Sequence, residues 1–522
     1  IAIIPSYVID ESRYTEFNDF IIVASKTKTQ INLPLTPDFA VCESCKTEIL
    51  DPKNRRFNYP FTTCVQCGPR YAITTKFPFE RVHTSLIKFD MCEVCNDEYT
   101  NPSDRRFHSQ TNSCRACGIQ LKLVINFGET ITENQADCID KVVQFISDGK
   151  IVAIKNTNGY ILCCDAINPE AIKTLRARKI RPNKPFAVMY PFIRMVKADF
   201  ELTPYEEDAL KSRVAPIVIL QNTKNTRIST QEIAPNLNQT GVMLPSSSLL
   251  HLLMQKIGTP IVATSGNIHG SPIIFEKEET QNQLTDVADY FLHHNLDIQF
   301  PQDDSVVKFV DSQELIFRRS RGLAPNYIDA KINGEEPVLA MGAHLKSTFT
   351  LVPNSQTYVS QYFGNLDNYD VLKRYKNTIE NYVDVFQTKP KTILGEHDKF
   401  NSGEKILGVI WDGTGLGDDN QIWGGEFFEY QRNEIQRVAH FEYYNWLAHD
   451  KMAKEPRLSL FSLLDNEDRD YIKYKFSKTE WGIYLKMIKT NRLKTSSVGR
   501  LFDAVASVLD IVDINTFEAE AA

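Results

Sequence analysis

The sequence predicts an α/β multidomain protein that carries a double four-cysteine module near its beginning. Its 522 residues exceed what one hydrophobic core supports, so the length suggests three or four domains. A 27-residue pattern with four cysteines occurs twice, 50 residues apart. After it, short apolar runs alternate with helical patterns, which is typical of α/β domains.

The composition is that of an ordinary globular protein, with 42% hydrophobic and 24% charged residues. The formal net charge of −7 gives no sign of broad electrostatic contact with nucleic acid. No apolar run approaches the length needed to span a bilayer. We therefore expect neither nucleic acid nor membrane as a partner. The chain begins with Ile1, so we expect the natural N-terminus to lie upstream.

The two copies of the pattern predict two metal sites. "CESCKTEILDPKNRRFNYPFTTCVQCG" and "CEVCNDEYTNPSDRRFHSQTNSCRACG" share the spacing Cys-x2-Cys-x18-Cys-x2-Cys. Four thiolates close the coordination sphere of Zn²⁺, which predicts two structural Zn²⁺ ions rather than a catalytic metal. Whether the copies exchange Cys-x-x-Cys arms stays open, and zinc ribbons also bind nucleic acid in other proteins. The predicted ligands are Cys42, Cys45, Cys64, Cys67, Cys92, Cys95, Cys114 and Cys117.

Each four-thiolate site carries a formal charge of −2. The Arg-Arg steps at 55–56 and 105–106 are well placed to offset that charge. The other three cysteines, Cys138, Cys163 and Cys164, lie in apolar surroundings and are interpreted as core thiols. Reduced thiols and metal sites indicate a reducing compartment, hence the cytoplasm.

The doubled module closely resembles the zinc-finger region of the hydrogenase maturation carbamoyltransferases of the HypF family. The resemblance rests on "DPKNRRFNYPFTTCVQCGPRY" and "NPSDRRFHSQTNSCRACG". Family members begin with an acylphosphatase domain that processes carbamoyl phosphate. By this resemblance, residues 1–32 are a remnant or linker after that domain, and residues 33–123 are the zinc-finger module.

Residues 124–330 are predicted to form an α/β domain with an anion pocket. "ADCIDKVVQFISDG" and "NPEAIKTLRARK" have helical spacing, with Asn168 as the N-cap of the second, and "KIVAIK" and "YILCCDA" are predicted strands. The run "RKIRPNKPFAVMY" then places four cations beside prolines, which indicates either an anion pocket or a solvated basic face.

Two later segments, "PIVATSGNIHGSPI" and "DDSVVKFVDSQELIFRRSRG", place small and basic residues at strand ends. Together these elements resemble the YrdC-like domain, which holds an acyl adenylate made from ATP. The resemblance implies ATP with Mg²⁺ as cofactor. The residues it implies as contacts of the nucleotide and carbamoyl adenylate are Lys155, Lys179, Arg181, Lys184, Ser265, Asn267, Ser305 and Arg321.

Residues 335–522 are predicted to form a second nucleotide domain. "VLAMGAHLKSTFTLV" is interpreted as strand, turn with Lys346, and strand. "ILGVIWDGTGLGDDNQIWGGEFF" is interpreted as a buried strand followed by a turn formed by Asp412, Gly413, Thr414 and Gly415. An aspartate flanked by glycines presents a carboxylate to a metal while N–H groups bind phosphate, although such a turn is often only a hairpin.

These turns resemble the actin-like ATPase type of carbamoyltransferase domain, in an incomplete form. The resemblance implies Lys346 and 412–415 as nucleotide contacts and Asp412 as ligand of a possible additional divalent metal. The family's His-rich stretch is replaced by "NSGEK" at 401–405, after His397, and we expect it to be present in the natural protein. The family's C-terminal Gly-rich segment is expected beyond Ala522.

The resemblance implies a carbamoyltransferase of [NiFe]-hydrogenase maturation. It would use carbamoyl phosphate and ATP to form carbamoyl adenylate and transfer the carbamoyl group to the C-terminal cysteine of HypE, for cyanide ligand synthesis. Lys179, Arg181 and Asp412 are the implied catalytic residues. Two alternatives stay open: a threonylcarbamoyl-adenylate synthase for tRNA modification, and a non-enzymatic zinc scaffold.

Overall fold

The computed structural model describes residues 35–223, 226–268, 270–328, 336–353, 356–394, 406–431, 434–516 and 520–521. The predicted N-terminal remnant, His397 and the "NSGEK" stretch lie outside the described residues.

The two repeats of the zinc-finger module fold alike. In each, a short helix begins immediately after the first cysteine: α1 spans Glu43–Leu50 and α2 spans Glu93–Thr100. Three 3₁₀ turns connect the repeats, at Tyr71–Ile73, Arg81–His83 and Ser85–Lys88. The module is not a separate body, because its Ile49 and Phe61 belong to the same apolar cluster as residues of the following domain.

An eleven-stranded mixed sheet forms the centre of the protein, in the order β11-β10-β6-β7-β5-β8-β4-β3-β9-β1-β2. The strands are β1 Leu121–Ile125, β2 Thr130–Thr132, β3 Val152–Asn156, β4 Gly159–Asp165, β5 Ala187–Met189, β6 Ile217–Gln221, β7 Gln239–Met243, β8 Ile261–Ser265, β9 Tyr290–His294, β10 Val306–Val310 and β11 Gln313–Arg318. The helices are α3 Gln135–Ser147, α4 Pro169–Arg178, α5 Ile193–Asp199, α6 Pro204–Lys211, α7 Thr230–Ile233, α8 Ser248–Ile257 and α9 Lys277–Leu284.

The central strands are apolar on both faces because each face of the sheet is covered. Ala153 and Leu162 face one apolar cluster, whereas Val152 and Ile161 face the other. Near-continuous hydrophobic strands are what a sheet buried on both sides requires. The predicted core thiols fit this arrangement: Cys138, Cys163 and Cys164 are fully buried.

The C-terminal part contains two smaller sheets. The first, ordered β12-β15-β14-β13-β16, comprises β12 Asn326–Ile328, β13 Val338–Ala340, β14 Thr350–Val352, β15 Thr357–Val359 and β16 Thr392–Leu394, with helix α10 Tyr369–Val385. The second comprises β17 Ile406–Leu416, β18 Ile422–Gln431, β19 Glu434–His440, β20 Tyr444–Asn445 and β21 Lys494–Thr495. Its helices are α11 Asp450–Lys454, α12 Pro456–Leu463, α13 Lys478–Thr490 and α14 Val498–Val508, with a 3₁₀ turn at Arg469–Lys475.

The predicted turn at Asp412 is wrong. Residues 412–415 lie inside β17, where the pairing with β18 shifts register between Trp411 and Gly415. The strand resumes when Gly415 pairs with Trp423, and the chain turns only afterwards, where Asn420 N donates to the carbonyl of Gly417 at 2.9 Å. A bulge of this kind absorbs the extra residues without ending the strand.

Aromatic packing joins the zinc-finger module, the central sheet and the first C-terminal sheet. The rings of Tyr71 and Phe300 stack at 4.4 Å, and both contact Tyr382 of α10 edge-on. The Tyr71 hydroxyl donates to Oε1 of Gln361 at 2.6 Å. Such stacked and edge-on aromatic pairs contribute stability beyond their buried area. The three parts therefore share one continuous contact surface.

Candidate functional site

The eight predicted zinc ligands form two groups of four, each from a single repeat. In the first group, Cys64 Sγ lies 3.7 Å from Cys42 Sγ and 3.8 Å from Cys67 Sγ, and Cys67 Sγ lies 3.7 Å from Cys45 Sγ. Thiolates at about 2.3 Å from a tetrahedral Zn²⁺ are separated by about 3.8 Å from one another. The residues thus fit structural zinc, and the arms are not exchanged between repeats.

Charge compensation at these sites comes from the opposite repeat. Arg55 Nη2 donates to Cys95 Sγ at 3.2 Å, and Arg105 Nη2 donates to Cys45 Sγ at 2.8 Å. The Arg-Arg steps do meet thiolates, as their charge suggested. Each Arg-Arg pair, however, contacts the cysteines of the other repeat and not those of its own repeat.

Lys179 lies at the end of α4 and is almost fully buried. Its Nζ donates to the carbonyls of Ser265 and Asn267, at 2.5 and 2.8 Å, and to Asn267 Oδ1 at 2.9 Å. Three of the predicted contact residues are therefore brought together. Burial lowers the pKa of Lys179 well below its ordinary value, and the nearby Arg181 charge lowers it further.

The loop that receives Lys179 depends on a glycine. Gly266 N donates to the carbonyl of Tyr160 at 2.6 Å, so the loop runs directly against β4. A Cβ added to Gly266 would lie 2.7 Å from Tyr160 Cβ and 2.9 Å from its carbonyl oxygen. Ser265 Oγ donates to Asn267 Oδ1 at 2.9 Å and fixes the amide.

Arg181 lies beside this loop. Its Nη1 donates to Thr264 Oγ1 at 3.4 Å, and its guanidinium lies 5.0 Å from the Phe186 ring centroid. Burial, followed by the charges of Arg176 and Arg318, lowers the pKa of Arg181 to about 9. The predicted neighbour Lys184 is exposed, although its backbone carbonyl accepts from Arg181 Nε at 3.1 Å.

The positive charges of Lys179 and Arg181 are not neutralised by ion pairs among the described residues. Within the described part of the chain, Lys179 and Arg181 have no carboxylate within the 4.0 Å ion-pair distance. The negative charge of Asp303 acts on both residues through space and partly opposes the lowering of their pKa values. Burying cations without a paired anion costs free energy, which an anionic ligand would recover.

Three other predicted contacts are engaged in internal hydrogen bonds. Arg321 Nε donates to Asp304 Oδ1 at 2.6 Å, and its Nη1 and Nη2 donate to the carbonyls of residues 214 and 215 at 2.9 and 2.7 Å. Ser305 Oγ donates to the carbonyl of Arg321 at 2.9 Å. Lys155 Nζ donates to the carbonyls of residues 294 and 296, and burial lowers its pKa. These residues shape the surrounding loops.

The predicted residues of the second domain are spread along the chain. Lys346 has a left-handed φ of 51° in the exposed turn between β13 and β14. Asp412, Gly413 and Thr414 belong to β17, and their side chains lie outside the described residues.

Sequence reasoning missed two residues of the pocket, Arg176 and Asp303, and it placed Thr264 in the small-residue segment without making it a contact. Arg176 Nη1 donates to the carbonyls of Arg181 and Lys184, at 2.6 and 3.1 Å, and so holds the loop that carries both. Its position in the sequence could have indicated this role, because Arg176 lies in the last turn of α4. Basic side chains near a helix C-terminus often donate hydrogen bonds to carbonyl groups there. Thr264 and Asp303 each lie next to a residue that the sequence did single out.

Family models match the chain in four consecutive parts. "HypF finger" matches residues 41–74 and 91–124, and the Sua5/YciO/YrdC model, described as "Telomere recombination", matches 144–320. "HypF Kae1-like domain" matches 333–405, and "Carbamoyltransferase, Kae1-like Domain, second subdomain" matches 408–522. Carbamoyltransferase HypF of Synechocystis is 36% identical over 579 aligned residues, covering 100% of this chain and 74% of the relative.

The chain belongs to the carbamoyltransferase HypF family.

Two further similarities agree with this membership. Probable carbamoyltransferase HypF of Methanocaldococcus jannaschii is 36% identical and covers 97% of this chain and 71% of its own. A crystal structure of full-length HypF in the phosphate- and nucleotide-bound form superposes with a TM-score of 0.87 at 36% identity, covering 94% of this chain and 68% of that one. The predicted α/β multidomain fold and the prediction of a carbamoyltransferase are confirmed.

No helix in the described ranges has the length and apolar character needed to cross a membrane.

Proposed function

We propose that this chain activates carbamate with ATP as carbamoyl adenylate and passes the carbamoyl group to the C-terminal cysteine of HypE. The observation that carries the proposal is the buried cation Lys179, with the partly buried Arg181 beside it, at the loop formed by Ser265 and Asn267. An adenylate is an anion, and its phosphate would supply the negative charge that is not paired with these cations within the described residues. Membership of the carbamoyltransferase HypF family supports carbamoyl as the group that is activated.

In the first step a carbamate oxygen attacks the α-phosphorus of ATP. A bond forms between the carbamate oxygen and the α-phosphorus. The bond from the α-phosphorus to the oxygen that bridges to the β-phosphate breaks, and pyrophosphate leaves. Lys179 and Arg181 stabilise the charge that builds on the phosphate oxygens, which is usually the largest catalytic contribution available. Mg²⁺ bound to the phosphates would share that charge.

The two cations are proposed to act differently. All three Nζ protons of Lys179 are used by the loop oxygens, so this residue positions Ser265 and Asn267 and contributes its charge through space. Arg181 keeps unused guanidinium donors, which makes it the direct phosphate ligand. Lys155, Lys184, Ser305 and Arg321 are proposed to border the same pocket.

In the second step the thiolate of HypE attacks the carbamoyl carbon. A carbon–sulfur bond forms, the carbon–oxygen bond to the phosphate breaks, and AMP leaves. We assign this step to the second domain, with nucleotide contacts from Lys346 and residues 413–415 and a divalent metal at Asp412. The adenylate hydrolyses readily in water, so we propose that it passes from one domain to the other without release into solvent. The packing of Tyr71 and Phe300 keeps these parts of the chain in contact.

The experiment is ATP–pyrophosphate exchange with three acceptors: carbamoyl phosphate, ammonium carbamate, and threonine with bicarbonate. Ammonium carbamate serves as a direct donor that needs no prior processing of carbamoyl phosphate. Exchange with carbamate supports the proposal. Exchange with threonine and bicarbonate alone would instead identify a threonylcarbamoyl-adenylate synthase. Absence of exchange with every acceptor would show that the chain forms no adenylate.

A further inference from the structure

The arginines of the zinc-finger module cross between its two repeats. Arg55 Nη2 lies 3.2 Å from Cys95 Sγ and 3.7 Å from Cys92 Sγ, both in the second repeat. Arg105 Nη2 lies 2.8 Å from Cys45 Sγ in the first. Hydrogen bonds from a guanidinium to a thiolate are charge-assisted, so they strengthen the site that receives them.

A second pair of arginines repeats the crossing. Arg56 Nε donates to the carbonyl of Ser113 at 3.2 Å, and Arg106 Nε donates to the carbonyl of Thr63 at 3.0 Å. Both arginines are almost fully buried. Each carbonyl belongs to the residue just before the third cysteine of the opposite repeat, and each contact maps onto the other by the 50-residue offset of the repeat.

Glutamates of the two short helices complete the arrangement. Glu98 on α2 accepts from Arg55 and Arg56, at 2.8 and 2.9 Å. Glu48 on α1 pairs with Arg105 at 3.3 Å and with Arg106. The arginines of one repeat therefore hold the helix that begins at the other repeat's first Cys-x-x-Cys pair.

The position of the arginines in the chain gives this crossing a consequence. Arg55 and Arg56 lie in the loop that is closed when Cys42–Cys45 and Cys64–Cys67 share one metal ion. In the folded module that loop is closed, and its arginines contact the second site. The same holds in reverse for Arg105, Arg106 and the loop between Cys95 and Cys114.

We infer that the two zinc sites are reciprocally coupled: zinc in either repeat orders the arginines that stabilise the thiolates of the other repeat. Each ion therefore raises the affinity of the chain for the second ion. Coupling of this kind is reciprocal by thermodynamic necessity, so loss of either ion weakens the other site. The inference concerns metal binding alone and does not rest on the proposed carbamoyl chemistry.

The test follows individual cysteines during zinc release. The zinc-loaded full chain is mixed with excess EDTA, thiols are alkylated with N-ethylmaleimide at successive times, and peptide mass spectrometry measures each cysteine. In the unaltered chain, all eight cysteines are expected to become reactive with one common rate. Arg55→Gln should make the set from Cys92 to Cys117 reactive at least tenfold sooner, and the set from Cys42 to Cys67 should then also react sooner than in the unaltered chain. Arg105→Gln should act in the reverse order. If the second set to react kept its unaltered rate, the two ions would not be coupled.

Lys53→Gln is the matched control, because Lys53 is an exposed cation of the same loop and is expected to leave both rates unchanged. Arg55→Lys keeps the charge and should fall between Arg55→Gln and the unaltered chain. If Arg55→Gln binds no zinc at all, the Arg55→Lys comparison decides. Acceleration confined to the variant's own repeat, or rates equal to those of the Lys53 control, would overturn the coupling.

Discussion

Two neighbouring residues at the end of α4 show how burial distinguishes a cation without a paired carboxylate from one in an ion pair. Arg178 donates to Asp289 Oδ1 at 2.8 Å at a partly exposed position, so its charge is already paired. Lys179 turns inward, where it is 3% exposed and meets only uncharged oxygens. A basic run in the sequence does not reveal this difference, because the two residues are equally charged and adjacent.

Replacing Lys179 or Arg181 by alanine should slow ATP–pyrophosphate exchange by roughly 10²- to 10³-fold, as for other lost donors of transition-state stabilisation. Zinc content should not change, since neither residue contacts the module's cysteines. Lys173→Ala is the control, because Lys173 lies on the same helix in an exposed pair with Glu170. Exchange at the unaltered rate in both pocket variants would show that the site is misassigned.

Two buried histidines should make the protein sensitive to mild acid. Burial lowers the pKa of His251 to about 4 and that of His293 to about 3. Below the unfolded value of about 6.5 the unfolded chain binds protons that the folded chain does not, so stability present at neutral pH is lost as pH falls.

His251→Leu tests this effect, because His251 Nε2 has no hydrogen-bond partner in the described part of the chain. Between pH 7 and 5 the unaltered chain should lose about 2 kcal/mol more stability than this variant. The measurement is the thermal midpoint against pH by circular dichroism. Parallel pH profiles for the unaltered chain and the variant would refute the assignment.

At the scale of elements, helix α4 links local sequence to the pocket. Its N-cap Asn168 accepts from the backbone N–H groups of Glu170 and Ala171 at 3.0 and 3.2 Å. Its last turn and C-cap supply Arg176 and Lys179. Stability of this one helix therefore sets how firmly the cations are held.

Asn168→Ala should cost about 1 kcal/mol of stability, the usual effect of losing an N-cap, and should also slow pyrophosphate exchange several-fold. Asn134→Ala is a matched control, since Asn134 caps α3 with the same two hydrogen bonds but α3 supplies none of the pocket residues. Equal exchange rates in the two variants would separate α4 from catalysis.

The elements that the sequence predicted well are those with local signals. The cap at Asn168 and the strands β3 and β4 follow from neighbouring residues, and these predictions are confirmed. The predicted turn at Asp412 is wrong because the strand continues through an irregularity in its pairing with β18, and the chain turns only after Leu416. Propensity and spacing carry no information about such a register.

At the scale of the whole molecule, the zinc-finger module supports the central sheet. Ser248 Oγ at the start of α8 donates to the carbonyl of Thr62 at 2.6 Å, and Gln299 N donates to the carbonyl of Ala72 at 2.7 Å. Repeats in a sequence reveal the four-cysteine spacing within each copy. They do not reveal how the copies face each other, so the crossed arginines could be found only in three dimensions.

Elemental analysis of the purified chain should find two Zn²⁺, and Cys42→Ser should lose about one when zinc is saturating. That variant should unfold the first repeat, because structural zinc contributes on the order of 10 kcal/mol in small fingers. Since the module shares an apolar cluster with α3 and α8, chelation should also lower the thermal midpoint of the central domain. Unchanged stability in strong chelator, together with absence of metal, would contradict a structural role for zinc.

We propose that the pocket around Lys179 makes carbamoyl adenylate. The most direct measurement is mass spectrometric identification of the nucleotide products after the chain is incubated with ATP, Mg²⁺ and ammonium carbamate, beside Lys179→Ala. The unaltered chain should produce carbamoyl adenylate and pyrophosphate, and the variant should produce far less of both. Hydrolysis of ATP to ADP and phosphate without an adenylate, or equal adenylate from the variant, would contradict it.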